Sequence, residues 1–391
     1  MNKTFQVAVV TQELSPSTGG GYSFTSTIIN EILASRNHSN FEVKIFTTKS
    51  SKFQNNSVQK FAQEKLKNSL IFRFYWIVPS LSYFFMKNLG LYKKLKKQNI
   101  DFVFFLGVGA IPLDIPYGML VWDLQHRTHP WFPEVNAGTI WQNREISSSI
   151  VTTKASLIVV GTQTGKEQVQ HFYRIDPSKI RIIPHPVTSF FVNRPLLNVQ
   201  STESFFKFVY PAQFWAHKNH KLLLEASKVL LSSGIYNFEF RLIGGDKGNL
   251  QYIKNLVQEF GLQKHVIFLG FVSDTELASE YENATALVYP SFSGPENLPP
   301  LEAMQCNVPV IIANYEGAYE QLGEAALYFN PFNSRELADQ IIKLIGSKAL
   351  QEKLRHSGNL VVMEKTVAKF VENLFESING VLKYRESWHG I

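Results

Sequence analysis

Residues Ala284 to Pro309 read ATALVYPSFSGPENLPPLEAMQCNVP. The run opens on Ala284 to Tyr289, largely apolar on both alternating faces, which predicts a buried strand of a parallel sheet. Pro290, Ser291 and Gly294-Pro295 break the strand. Pro299 and Pro300 cannot sit inside a helix but suit its first turn, so Leu301-Glu302-Ala303-Met304 open a helix. This order puts the Glu302 carboxylate beyond the carboxyl end of a strand, the edge at which open α/β sheets bind ligands. Backbone N–H groups of Asn297 and Leu298, beside the helix start, are placed to meet an anion. The same pattern also fits an ordinary strand–loop–helix unit with a surface glutamate, so the rest of the chain has to decide.

The length of 391 residues predicts two domains. A hydrophobic fraction of 45% and a charged fraction of 18% are those of a globular protein with enough apolar residues for two cores. Cys306 is the one cysteine, which rules out an intramolecular disulfide framework and fits a reducing, cytoplasmic compartment. Its expected place in the central helix suits a packing thiol better than a nucleophile. The first residues, MNKTFQVAVVTQEL, do not read as a signal peptide, and no run is long and apolar enough to span a membrane. The formal charge of +7 points to an anionic partner, with nucleic acid, anionic lipid and phosphorylated substrates all open.

Along the chain, Phe5 to Thr11 predicts a strand, followed by a loop in which Gly19-Gly20-Gly21 precede a helix. Consecutive glycines allow a backbone to approach a ligand closely, and the helix start favours an anion; a plain flexible loop is the alternative. Phe41 to Thr47 is a second strand. From Lys49 to Lys97 the chain is rich in Lys and aromatic residues and holds a single acid, Glu64. Such interleaving suits a membrane surface, or else a solvated basic face over core aromatics. Asp101 to Val108 and Tyr117 to Leu124 read as further strands. Asp123, His126 and His129 gather at the end of the second; His126 and His129 also read as a zinc pair, but no third or fourth ligand is spaced to complete the site. Gly161 to Gly165 is one residue too short for a phosphate loop, and Glu167 stands where a Ser or Thr should follow the Lys. Ile180 to Pro186 closes a first domain, and Val187 to Ser204 is a plausible linker.

The second half opens on a strand, Phe205 to Ala212, with Lys218 just before the next helix. Phe238 to Ile243, Val266 to Val272, Ala284 to Tyr289, Val308 to Ala313 and Ala326 to Phe329 alternate with helices, one of them capped by Asp274. Two terminal helices, Ser334 to Lys348 and Ala349 to Val381, follow. Alternation of this kind gives an α/β fold, a parallel sheet with helices on both faces.

PENLPPLEAM at Pro295 to Met304, VPVI at Val308 to Ile311 and AALYFNP at Ala325 to Pro331 resemble the donor-site signature of glycosyltransferase family 4. The resemblance implies the GT-B fold, two Rossmann-like doubly wound domains facing each other across a cleft. It places an N-terminal acceptor-side domain at 1–190, with a last helix at about 376–391 packing back on it, and a nucleotide-sugar donor domain at 200–375. It implies a retaining, metal-independent transferase that needs no cofactor beyond its nucleotide-sugar substrate. Gly19, Gly20 and Gly21 would then face the donor's phosphates and sugar. Asp123 and His126 would stand near the reaction centre, His126 in the place of the family histidine, because Trp122-Asp123 stands where many members read His-Asp. Lys218 would grip the diphosphate alone, since Gln213 holds the position of the usual Arg. Phe271 and Val272 would lie along the base, and Glu302 would accept hydrogen bonds from the ribose hydroxyls. The form FSGPENLPPLEA resembles enzymes of bacterial surface polysaccharide synthesis, which points to UDP-glucose as donor and a glycan or lipid-linked glycan as acceptor.

The family usually carries two glutamates separated by seven positions. Counting back from Glu302 reaches Gly294, and Glu296 stands two residues out of register. Either Glu296 reaches the sugar through the loop, or backbone N–H groups at the glycine contact it directly. Competing readings are a GT-B protein that binds a nucleotide sugar without turnover, and a basic nucleic-acid-binding module. The second explains the charge of residues 49–97 but not Glu302, so nucleic acid is not expected as a partner.

Overall fold

The structure, a computed structural model, describes residues 4–11, 19–35, 40–47, 58–60, 90–107, 110–192 and 205–386. Most of the basic-aromatic stretch 49–97 and most of the expected linker lie outside the described residues. The chain forms two compact units. One holds Met1–Pro130, Val135–Pro184 and Ala368–Ile391, and the other Trp131–Glu134 and His185–Val367. These bounds differ from 190 and about 376, and the short segment Trp131–Glu134 groups with the second unit.

The first unit contains strands β1 (Phe5–Thr11), β2 (Phe41–Thr47), β3 (Val58–Lys60), β4 (Phe102–Phe105), β5 (Tyr117–Leu120), β6 (Leu157–Val160) and β7 (Ile180–Ile182), in the order β3-β2-β1-β4-β5-β6-β7. The second contains β8 (Phe206–Pro211), β9 (Phe238–Ile243), β10 (Val266–Gly270), β11 (Ala286–Tyr289), β12 (Val310–Ala313) and β13 (Ala326–Phe329), in the order β10-β9-β8-β11-β12-β13. All pairings within both sheets are parallel. Strands β4, β6, β11 and β12 are buried at every position, which is why FVFF, LIVV, ALVY and VIIA are continuous apolar runs rather than alternating ones. Both sheets reverse direction of winding once, between β1 and β4 and between β8 and β11. That order, 3-2-1-4-5-6 with β7 added at the edge of the first sheet, defines the doubly wound Rossmann arrangement, whose ligand crevice lies at the reversal, outside the carboxyl ends of the strands.

Several elements differ from their reading in the sequence. The run Tyr117 to Leu124 stays a strand only to Leu120. The Asp123 carboxylate accepts from the N–H of Gln125 at 2.9 Å, turning the chain into a short helix, Gln125–Thr128. Helix Asp274–Glu282 is capped by Ser273, not Asp274. The Ser273 hydroxyl accepts from the Glu276 N–H, and the Glu276 carboxylate accepts from the Ser273 N–H, a reciprocal capping box. The C-terminal region forms three helices, Ser334–Ile345, Lys348–Met363 and Val367–Glu386, instead of two. The last packs Phe370 on Phe24 and Phe375 on Phe41 within the first unit.

Helix Leu298–Gln305 carries its two prolines in the first turn, as expected from their missing N–H groups. It lies close against Lys348–Met363, where a Cβ on Gly358 would come within 2.9 Å of Met304. A side chain at 358 would press on Met304 where the two helices touch. No helix among the described residues is long and apolar enough to cross a membrane.

Candidate functional site

In the second unit, β8 ends at Pro211 and its loop runs through Gln213 and Lys218 into helix His220–Ser232. Strand β11 ends at Tyr289, and its loop runs through Gly294, Glu296 and Asn297 into helix Leu298–Gln305. Because β8 and β11 are neighbours whose connections leave in opposite directions, the two loops meet at the reversal point. The Phe292 N–H donates to the His217 carbonyl at 2.9 Å, and the Asn219 side chain donates to the carbonyls of Pro290 at 3.1 Å and Pro331 at 2.9 Å. These bonds tie the loops to one another.

Lys218 lies in this junction. Its Nζ donates to the Tyr289 hydroxyl at 2.9 Å and to Asn297 Oδ1 at 3.4 Å, and stands 5.2 Å from the centre of the Tyr289 ring. The buried Tyr210 hydroxyl fixes the backbone by donating to the Lys218 carbonyl at 2.6 Å. Gln213 is drawn aside, accepting at Oε1 from the Trp215 indole at 3.1 Å. The N–H of Asn297, expected to face an anion, donates instead to Gln321 Oε1 at 3.1 Å, because Gln321 brackets the peptide and also donates to the Asn297 carbonyl at 2.6 Å. Leu298 is the buried first residue of the helix.

The two glutamates of the stretch go separate ways. Glu302 sits on the buried face of its helix and accepts from the Tyr281 hydroxyl at 3.1 Å; burial pushes its carboxyl up to about 7. Glu296 turns away from the Lys218 junction. Its side chain is 2% exposed, Oε1 accepts from the His185 N–H at 2.8 Å, and Oε2 stands 3.2 Å from His185 Nδ1. Burial pushes Glu296 up to about 8 and His185 down to about 3. Gly294 lies at φ +129°, a backbone region that side chains rarely adopt. Phe271 is exposed and Val272 half-buried, just past β10, which ends at Gly270. A further carboxylate arrives from residues 131–134: Glu134 Oε1 accepts from the His217 N–H at 2.9 Å and pairs with its ring Nδ1.

In the first unit, Gly19 is the N-cap of helix Gly20–Ala34, so Gly20 and Gly21 form its first turn. Asp123 bonds Arg144 at 2.6 Å. Burial pushes that carboxyl up, but Arg144 and the Gln125 N–H outweigh it and hold Asp123 below its ordinary value. His126 is 1% exposed, its Nε2 lying 3.1 Å from Glu145 Oε2 and 3.3 Å from the Tyr173 hydroxyl. Burial, and then the charge of Arg144, push the imidazole down against the opposing pull of Glu145 and Asp123. Among the described residues no partner is placed on its Nδ1. His129 contacts Thr128 at 2.8 Å.

The structure thus brings Lys218 and Asn297 together, holds Gly294 beside them, and sends Glu296 and Glu302 to other partners. Sequence reading missed Tyr289, Tyr281, Glu134 and Glu145. Tyr289 was legible only as a buried strand residue, and Glu145 only as one charge on a helix. Among the described residues, no group of three or more His, Cys, Asp or Glu side chains is placed to hold a metal ion.

Two Rossmann units with paired reversal points are the GT-B glycosyltransferase fold, and solved structures bear this out. The chain superposes on WaaG, a glycosyltransferase involved in lipopolysaccharide biosynthesis, with a TM-score of 0.71 over 96% of this chain and 100% of that one, at 15% identity. It superposes on Anabaena Alr3699/HepE, solved in complex with UDP and glucose, with a TM-score of 0.66 over 95% and 99%, at 15% identity. Residues 198–360 match the family model described as glycosyl transferases group 1. In sequence the chain is similar to the O-antigen chain mannosyltransferase RfbU of Salmonella typhimurium, 31% identical over 174 residues. That match takes in 44% of this chain and 46% of the relative, so the chain spans less than half the length of that relative.

Proposed function

We propose that the protein is a retaining glycosyltransferase that moves a hexose from a nucleotide sugar to a glycan or lipid-linked glycan acceptor in polysaccharide synthesis. The observation that carries the reading is the meeting of Lys218 with Tyr289 and with Asn297, the N-cap of the Glu302 helix, at the β8/β11 reversal, within the residues that match the group 1 model. As the bond to the anomeric carbon breaks, negative charge grows on the departing diphosphate. A preorganised ammonium stabilises that charge without a metal ion. Glu302 accepts the ribose hydroxyls, and Phe271 and Val272 border the base. In the first unit, His126, Asp123 and the turn of Gly19, Gly20 and Gly21 remain the candidate groups. The sugar is the finer question. The sequence form suggested glucose carried by UDP, whereas the activity named for the Salmonella relative favours mannose.

The test is incubation with UDP- and GDP-linked glucose and mannose, with and without EDTA, following release of nucleoside diphosphate. Turnover of one donor that survives EDTA is expected. Turnover of none, with a thermal shift on adding nucleotide, favours the binding protein without activity. Loss to EDTA with recovery on Mg²⁺ or Mn²⁺ overturns metal independence.

A peripheral membrane surface is part of the same proposal. Helix Gly90–Lys97, the described end of the basic stretch, buries Leu91, Tyr92 and Leu95 and exposes Lys93, Lys94, Lys96 and Lys97. Exchanging the four lysines for Gln should weaken co-sedimentation with anionic liposomes, each contributing roughly 1 kcal/mol at low salt. Equal sedimentation of both forms would leave the helix a solvated face.

A further inference from the structure

The Asn297 side chain is saturated. Its Nδ2 donates to the Gly294 carbonyl at 3.1 Å and the Tyr315 hydroxyl at 2.8 Å, and its Oδ1 accepts from the Tyr289 hydroxyl at 2.9 Å and Lys218 Nζ at 3.4 Å. An amide offers two donor positions and two principal acceptor positions, and all four are filled. Two partners admit only one orientation. The Gly294 carbonyl can only accept, and the Lys218 ammonium can only donate, so Nδ2 must face the first and Oδ1 the second. The backbone cannot rotate the amide away, because Gln321 bonds both the N–H and the carbonyl of the same residue. The oriented amide in turn orients Tyr289. That hydroxyl gives its hydrogen to Oδ1, which leaves its oxygen turned to accept from Lys218 at 2.9 Å. The same amide explains the glycine. A Cβ built on Gly294 would stand 2.6 Å from Nδ2 and 2.9 Å from Oδ1 of Asn297.

We infer that Asn297 is a positioning residue, holding the Lys218 ammonium through Tyr289, and that a side chain at residue 294, besides the strain its positive φ imposes, would collide with the Asn297 amide. The inference rests on the proposed role of Lys218 in stabilising the leaving diphosphate. It replaces two earlier assignments, Asn297 as an anion-binding peptide and Gly294 as a backbone contact to the sugar. It also excludes a simple return of the missing glutamate, since any side chain at 294 must first displace Asn297.

A double-mutant cycle on the full chain tests it, read as steady-state donor cleavage with whichever member of the donor panel is turned over. Asn297→Ala should lower kcat by about 10–10²-fold with a smaller change in donor KM, the scale of a misplaced reacting group. In a Lys218→Ala background the same change should cost less than about threefold, because the residue it positions is gone. Losses that multiply fully in the double variant overturn the positioning role and leave Asn297 structural. Near-wild-type turnover in Lys218→Ala alone, or turnover of no donor by the wild type, overturns the role of the lysine and this inference with it. Tyr289→Phe removes one oxygen and no packing volume, and it should show the same dependence on Lys218. It keeps the cycle readable where Asn297→Ala does not fold. Gly294→Ala should mimic Asn297→Ala; unchanged kcat in Gly294→Ala overturns the steric account.

Discussion

Glu302 and Glu296 stand on one loop and helix, and burial raises both carboxyls, to about 7 and about 8, yet they take different partners. Glu302 rides the second turn of a helix whose first turn is set by two prolines, and its partner is a single phenol hydroxyl. Glu296 accepts from the buried His185 N–H, and its second oxygen stands 3.2 Å from the His185 ring. A hydroxyl partner can be exchanged for a ligand hydroxyl at little cost. A backbone N–H buried behind a carboxyl cannot lose its acceptor without being left unpaired. Nearness in sequence to a signature position does not by itself give two carboxyls the same surroundings. What decides is whether its hydrogen bonds are replaceable.

The largest expected effect breaks the pair apart kinetically. Glu302→Ala should raise the donor KM by about 10²-fold, about 2.7 kcal/mol, the scale of hydrogen bonds from two ribose hydroxyls to a charged acceptor. An unchanged KM would remove Glu302 from the donor site. Glu296→Ala should change kcat/KM by less than about tenfold, or 1.4 kcal/mol, but lower unfolding stability by about 1–3 kcal/mol, because the His185 N–H loses its acceptor. Urea denaturation of both variants measures this. A large kinetic loss at Glu296 with unchanged stability would reverse the assignment and return that carboxyl to the sugar.

The smallest effect is on pH dependence. Because burial raises Glu296 to about 8, the folded protein holds a proton that the unfolded chain releases near 4.5. The stability so contributed is complete below about 4.5 and is lost as pH rises towards 8. His185, pushed down to about 3, acts in the opposite sense: its contribution grows as pH rises from about 3 to 6.5. Stability of the wild type should therefore fall between about pH 6.5 and 8, where only the carboxyls act. Glu296→Gln should flatten that limb, leaving the smaller share that Glu302 contributes. An identical slope in the variant would show that Glu296 is already ionised in the folded protein.

The first unit offers a useful contrast to these carboxyls. Its Glu145 is also pushed up by burial, yet the hydrogen bond and charge of Arg127 outweigh that and hold it below its ordinary value. On Glu296 the charge of Lys365, and on Glu302 the Tyr281 hydroxyl, pull the other way, but burial wins there. The sign of the shift follows from the partner, not from depth alone.

The alternation of strands and helices, the proline-marked start of the Glu302 helix and the placing of Lys218 ahead of a helix were all legible in the sequence. Each depends on local chemistry: apolar runs without polar alternation, prolines without an N–H, a loop that must follow a strand. Strand ends were read too long, as at Tyr117 to Leu124, because pairing stops where a neighbouring strand stops, and the neighbour is not local. The partners of the buried polar groups were beyond reach for the same reason. Lys218 meets Asn297 across 79 positions, and Glu296 meets His185 across 111. The residue types at 294, 296 and 297 could be read from the chain, but not which of them faces a ligand and which serves the fold. That was decided only when folding brought donors and acceptors together in a space where water no longer satisfies them, so that each buried polar group had to take the partner the tertiary structure placed beside it.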